Sequence, residues 1–128
     1  MERNAVRVYI AGPLTALPEG YIQNMHRMSK VWGDIAHMGL APFNPGSDII
    51  DGLINGDITV EVFKRVSSAW LRGAHIVFRM DGPSEGSDAE VALAESLDIP
   101  VVHDFEHLEK LARVLTGCTA FVQDPERS

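Results

Sequence analysis

The stretch SEGSDAEVALAE, from Ser84 to Glu95, holds the residues whose types and spacing are best suited to chemistry. In α/β proteins a Gly beside Ser at the start of a helix often binds an anion, because free backbone N–H groups and the positive end of the helix dipole point at it. Ser84, Gly86 and Ser87 would line such a site. The Glu90 carboxylate, one turn later, could then act on a bound ligand as a nucleophile or a stabilising charge.

The same spacing also has a purely structural interpretation. Ser87 followed three residues later by Glu90 is the pattern of a helix capping box, in which each side chain binds a free backbone N–H. Glu90 would then be a structural residue, and its loss would cost up to about 1 kcal/mol of stability. The pattern alone leaves both interpretations open.

Further candidates lie on two other segments that end in loops. Tyr9 comes late in VYIAGPLT, before Gly12 and Pro13, and the backbone of a Gly can approach a ligand closely. Taken alone, Tyr9 is more typical of a buried or half-buried strand position than of a site residue. Asn44, in PFNP, could contact a base or a sugar, although Asn between prolines is also common in turns.

No metal or cofactor is expected. His103 and His107 are four residues apart but lack a convincing third ligand. Neither a Walker-type loop nor a G-x-G-x-x-G pattern is present, so ATP hydrolysis and nicotinamide chemistry have no support. Cys118 is the only cysteine, which excludes an intrachain disulfide and fits a reducing, cytoplasmic setting.

The composition predicts one compact domain, residues 1–122, followed by a polar tail, residues 123–128. The chain has 128 residues, of which 45% are hydrophobic, enough to form one core. A formal net charge of −7 argues against nucleic-acid polymers and acidic membranes as partners, since both require clustered Lys and Arg. No segment approaches the roughly 20 apolar residues of a membrane span, and no signal peptide is recognisable. We therefore expect a small-molecule ligand.

Candidate strands and helices alternate along the chain. The predicted strands are 5–12, 40–45, 74–80 and 99–105, and the predicted helices are 21–38, 59–72, 87–97 and 107–115. Alternation of this kind predicts an α/β fold with a small, doubly wound, Rossmann-like or flavodoxin-like parallel sheet between helices. The loops after Ala11, Pro42 and Met80 should then share the rim where such sheets bind ligands.

Helical spacing also predicts which side chains face the core. In the first helix these are Ile22, Met25, Met28, Val31, Trp32, Ile35 and Met38, and in the second they are Val62, Phe63, Val66, Ala69 and Trp70.

Over most of its length the sequence resembles the nucleoside 2-deoxyribosyltransferase-like superfamily, which includes transferases, deoxynucleoside monophosphate N-glycosidases and small phage and bacterial members. The resemblance is carried by VYIAGPLT, by Asn24, by GLAPFNP and, most specifically, by AHIVFRMDGPSEGSDAEVALAESLDIPVV. It implies cleavage of an N-glycosidic bond. It also implies a homodimer or larger homo-oligomer.

The resemblance assigns roles to individual residues. The Glu of the pattern Ser-x-Gly-x-x-x-Glu is the nucleophile, and Glu90 matches it with Ser84 and Gly86 in register. Ser at the position of Ser84 resembles the nucleotide hydrolases, where the hydroxyl helps to hold the 5′-phosphate. Tyr9 matches a Tyr beside the nucleophile, and Gly12-Pro13 matches the loop that holds the sugar and phosphate.

The chain departs from the family pattern at one catalytic position. A family Asp, seven residues before the position of Ala74, is Ser67 here, and a Ser hydroxyl is not an acid or base near neutral pH. Asp81 is our first candidate for that role, with Asp57 and Asp88 as alternatives. If none replaces it, the chain is a non-catalytic module that binds a nucleotide-derived ligand.

Overall fold

A computed structural model describes residues 5–13, 18–47, 54–56 and 59–117. Along the chain these form strand β1 (Arg7–Ala11), helix α1 (Pro18–His37), strand β2 (Ala41–Phe43), a short 3₁₀ helix (Pro45–Ser47), helix α2 (Val60–Arg72), strand β3 (Ile76–Arg79), helix α3 (Glu85–Ser96), strand β4 (Val101–Val102) and helix α4 (Phe105–Thr116). The predicted tail, residues 123–128, and Cys118 lie outside the described residues.

The sheet has four parallel strands in the order β2-β1-β3-β4. Tyr9 of β1 is in register with Phe43 of β2 on one side and with Val77 of β3 on the other. The predicted α/β class with a doubly wound parallel sheet is therefore confirmed. In this order the chain leaves β1 in one direction and β3 in the other, so the carboxyl ends of β1 and β3 flank the point at which such folds bind ligands.

Helices cover both faces of the sheet because alternate strand residues point to opposite faces. Val8, Ile10 and Phe78 belong to a buried cluster with Met28 of α1 and Leu108 of α4. On the opposite face, a second cluster joins residues of the sheet to α2 and α3: Tyr9, Ala11, Leu71, Val77 and Ala94. The residues of β1 and β3 thus divide between an α1–α4 face and an α2–α3 face.

Helices α1, α3 and α4 begin two or three residues earlier than predicted, and β4 is confined to Val101–Val102 where residues 99–105 were predicted. Helix α3 begins at Glu85 rather than Ser87, and α4 begins at Phe105 rather than His107. In each case an extended residue just before the helix caps it: the side chain of Ser84 or Asp104 accepts a hydrogen bond from the N–H three residues later. Thr59 caps α2 in the same way.

Several side chains predicted to be buried are exposed instead. They are Ile22, Trp32, Val66, Ala69 and Trp70, and Ile22 and Trp70 are 65% and 57% exposed. Helical periodicity identifies the apolar side of a helix but not how far the neighbouring layer extends.

The two tryptophans show this limit at the edge strand β2. Trp32 donates a hydrogen bond from Nε1 to the Pro42 carbonyl, at 3.1 Å, and Trp70 stacks on Phe43, with ring centroids 5.1 Å apart. Because β2 is a three-residue strand at the edge of the sheet, each indole covers it with one side and meets solvent with the other. Within the described part of the chain, no helix combines the length and apolarity needed to cross a membrane.

Candidate functional site

The carboxyl ends of β1 and β3 are joined by tight packing. The Met80 N–H donates to the Ala11 carbonyl at 2.8 Å, which extends the pairing of the two strands by one residue. Gly12 follows, and a Cβ at this position would lie 3.0 Å from Met80 Sδ and 3.2 Å from the Met28 side chain. Gly12 therefore allows close packing of the first loop on the core, whether or not its backbone also contacts a ligand.

The start of helix α3 tests the structural interpretation of Ser87 and Glu90. The N-cap is Ser84, whose backbone is extended and whose Oγ accepts a hydrogen bond from Ser87 N at 3.1 Å. Ser87 is the third residue of the helix, so it does not cap it, and Glu90 lies in the second turn. The capping-box interpretation of Ser87 and Glu90 is therefore excluded, because Ser84, three residues earlier, takes the cap position.

Glu90 carries a carboxyl group that is largely withdrawn from solvent. Its Oε2 atom is buried and has no partner of normal hydrogen-bond geometry among the described residues. Burial raises the pKa of Glu90 above its ordinary value, while the Tyr9 hydroxyl and, more weakly, the positive charge of Arg79 oppose this shift. A carboxyl in such a place is costly for stability and is typical of functional sites.

Tyr9 is held beside Glu90 by the aromatic side chains around it. Only 1% of Tyr9 is exposed, and its ring stacks on Phe43 with centroids 5.7 Å apart. Phe43 in turn stacks on Trp70, so three rings extend from the core to the surface. The structure thus brings together Tyr9 and Glu90, which lie 81 residues apart in the sequence.

Arg79 is a site residue that the sequence reasoning missed. It ends β3, is only 9% exposed and donates hydrogen bonds to the carbonyls of Met80 and Gly82. Its Nη2 also pairs with Asp88 Oδ1 at 3.2 Å. The signal was available, because an Arg within the apolar run AHIVFRM must find partners if that run is a buried strand.

The remaining predicted ligand residues have distinct environments. Ser87 is buried, and its Oγ has no hydrogen-bond partner among the described residues. Gly86 is exposed, and of the described atoms a Cβ there would approach the Ser84 hydroxyl alone, at 3.9 Å, so the described residues leave α3 open at Gly86. Asn44 is buried and its Oδ1 accepts a hydrogen bond from Gly46 N at 2.8 Å, as in an ordinary Asn turn. Pro13 is buried beside Gly82, where a Cβ would be 3.3 Å from its ring.

The structure describes two of the three carboxylates considered as a second catalytic group. Asp81 is exposed and lines a groove on the α1–α4 face of the sheet. Asp88 pairs with Arg79, and its side chain is 74% exposed. Asp57 lies outside the described residues. Ser67, which stands where the family pattern has Asp, donates its hydroxyl proton to the Lys64 carbonyl within α2 at 3.3 Å.

In the ranges that the structure describes, no three His, Cys, Asp or Glu side chains come close enough to hold a metal ion. Comparison with known proteins adds no assignment: the chain matches no protein-family model, and no curated protein matches it.

Proposed function

We propose that the chain cleaves, or transfers, the N-glycosidic bond of a nucleoside 5′-monophosphate or a (deoxy)nucleoside through Glu90. The observation that carries the proposal is the Glu90 carboxyl itself: it is buried beside the Tyr9 hydroxyl and has an oxygen left without a normal hydrogen bond by the described residues. The resemblance to the nucleoside 2-deoxyribosyltransferase-like superfamily supports the same role.

The chemistry suits a buried carboxylate. Breaking the bond between sugar and base leaves positive charge on the anomeric carbon, and a carboxylate can stabilise that charge or bond to the carbon. The bonding electron pair leaves with the base, which takes up a proton. The sugar ester on Glu90 is then released by water in hydrolysis, or by a second base in transfer.

Tyr9 and Ser84 would position the reacting groups. The Tyr9 hydroxyl, beside Glu90, would orient the carboxylate toward the sugar. The Ser84 oxygen accepts the bond from Ser87 N, which leaves its own proton available for a phosphate oxygen. The open first turn at Gly86 would give the phosphate access to the start of α3. Asn44, Gly12 and Pro13 would contribute to the sugar and base side of the site.

The decisive experiment compares Glu90→Gln with Glu95→Gln, an identical change on the exposed side of the same helix. Each protein is incubated with ribo- and deoxyribonucleoside monophosphates and nucleosides, and released base is measured by chromatography. Glu90→Gln should lose base release while Glu95→Gln retains it. Equal activity of the two variants would refute the role of Glu90.

The free energy of unfolding of the same two variants provides an independent test. Because burial raises the pKa of Glu90, folding disfavours its ionised form, so stability falls as pH rises from the unfolded pKa through the folded one. At neutral pH Glu90→Gln should therefore raise the free energy of unfolding, and by more than the exposed Glu95→Gln does. If the Glu90 carboxylate stabilised the fold instead, Glu90→Gln would lower the free energy of unfolding.

A second candidate function, non-catalytic binding of a nucleotide-derived ligand, is favoured by the surroundings of Ser67. The hydroxyl of Ser67 is bonded within its own helix, and Asp88 is paired with Arg79. Thermal stabilisation by a nucleotide without release of base from any substrate would support this function over the enzyme.

Two finer proposals can be tested on the same material. If Ser84 holds a phosphate, Ser84→Ala should lower kcat/KM for the monophosphate at least about 10-fold more than for the nucleoside, and the nucleoside controls for loss of the helix cap. If the chain forms a homodimer or larger homo-oligomer, as the resemblance implies, sedimentation velocity should show it.

A further inference from the structure

A groove of about 430 Å³ opens on the α1–α4 face of the sheet, beyond the carboxyl ends of β3 and β4. Its size is within the range of small-molecule sites. We propose that this groove binds a small anionic ligand with a flat aromatic ring, at a second site separate from the Glu90 site.

The floor of the groove is aromatic and apolar. Phe78 at the end of β3 stacks on Phe105 at the start of α4, with ring centroids 5.1 Å apart, and Met80 and Val31 lie beside them. Phe105 is 38% exposed, so part of its ring is open to a ligand. A flat ring placed there would add to an existing stack.

The rim supplies cations that no carboxylate in the described ranges neutralises. Arg27 and Lys30, one turn apart on α1, line the groove, and neither forms an ion pair with any carboxylate in the described part of the chain. Among the described residues, Arg27 donates to a backbone carbonyl, that of Asp81, at 3.4 Å. In a chain of net charge −7, two unpaired cations on one apolar groove favour an anion.

The acidic residues of the groove differ in how far they oppose an anion. The Asp104 carboxylate is already bound: it accepts a hydrogen bond from His107 N at 2.7 Å as the cap of α4, and lies 3.3 Å from His107 Nδ1. Its charge therefore faces the positive end of α4. Asp81 is exposed at the edge of the groove. Two imidazoles, of His26 and His103, complete the polar lining.

The sheet separates this groove from Glu90. Phe78 belongs to the buried cluster on the α1–α4 face, whereas Val77 belongs to the cluster on the α2–α3 face, where Tyr9 lies. A ligand on the Phe78–Phe105 stack would therefore be on the opposite side of β3 from Glu90. The proposal does not depend on the function proposed for Glu90.

The test uses phenyl phosphate as the probe, followed by NMR of the ¹⁵N-labelled protein. Phenyl phosphate should shift the backbone resonances of residues 26–31 and 103–105. Inorganic phosphate lacks the ring and phenol lacks the phosphate. Each should bind at least about 10-fold more weakly than phenyl phosphate. Benzoate in place of phenyl phosphate distinguishes a phosphate site from a general site for aromatic anions.

Variants locate the binding. Arg27→Gln/Lys30→Gln should weaken phenyl phosphate at least about 10-fold. Lys64→Gln/Arg65→Gln, which removes the same charge from exposed positions of α2, should not, and neither should Glu90→Gln. The proposal is overturned if both double variants weaken binding equally, if the shifts centre on the start of α3, or if about 10 mM phenyl phosphate causes no shift.

Discussion

Substitution of Arg79 tests most directly which contacts hold the loop between β3 and α3. The change Arg79→Gln removes a guanidinium that is 9% exposed and that donates to the carbonyls of Met80 and Gly82. Each hydrogen bond from a buried charge is worth about 1.5–3 kcal/mol. Removing the buried charge also removes its desolvation cost, which offsets part of this loss. The two bonds together predict a net cost of about 2–4 kcal/mol.

The third contact of Arg79 should matter much less. Asp88 pairs with Arg79 at 3.2 Å, but the Asp88 side chain is 74% exposed, and exposed ion pairs contribute roughly 0–1 kcal/mol. Asp88→Asn is therefore the matched control. It removes the ion pair and leaves the two carbonyl contacts in place.

Urea unfolding followed by circular dichroism measures both variants. We expect Arg79→Gln to cost at least about twice as much stability as Asp88→Asn. Because the positive charge of Arg79 lowers the pKa of Glu90, NMR titration of the side-chain carboxyl should also show a higher pKa in Arg79→Gln. If the two variants cost the same, or if Arg79→Gln costs less than about 1 kcal/mol, the carbonyl contacts do not hold the loop.

Three further predictions concern caps, core and pH. Ser84→Ala should cost about 1 kcal/mol of stability because it removes the cap of α3, whereas Ser87→Ala should cost less than half of that because its buried Oγ has no partner among the described residues; denaturant unfolding compares them. Leu71→Ala should cost about 2–5 kcal/mol, more than Trp70→Ala, because Leu71 is fully buried and Trp70 is 57% exposed; equal costs would contradict the burial assigned to α2. Burial lowers the pKa of His75. The contribution of His75 to stability is therefore present above the unfolded pKa near 6.5 and is lost as the pH falls through the folded pKa. His75→Gln should make the free energy of unfolding depend less on pH across that interval.

The order of elements could be predicted from the sequence because it depends on patterns of several residues. Apolar runs ended by Gly or Pro and helical spacing between them lead directly to a parallel sheet with helices on both faces. The start of α3 could not be fixed in this way. Ser84 and Ser87 are both suitable caps, and the choice depends on the extended backbone of Ser84 after the loop, which the residue types do not determine.

The site was predictable only where a short motif carried it. Tyr9 and Glu90 could be paired through the resemblance, and the structure brings them together. The contacts of Arg79 depend on a loop in which Gly82 has φ of 117°, a backbone shape that follows from tertiary packing. The exposure of Trp70 likewise depends on the short length of its neighbour β2, not on the periodicity of α2.

The loop after β3 is held from both faces of the sheet. Arg79 donates to the Met80 and Gly82 carbonyls, while Arg27 of α1 donates to the Asp81 carbonyl between them, at 3.4 Å. The Arg79 contacts are buried or partly buried and the Arg27 contact is exposed, so the former set the path of the loop toward α3. Loss of the Arg27 side chain should therefore weaken ligand binding in the groove and leave the position of Glu90 unchanged. Loss of the Arg79 side chain should instead disturb both sites, because the loop residues Met80, Asp81 and Gly82 lie between the Glu90 site and the groove.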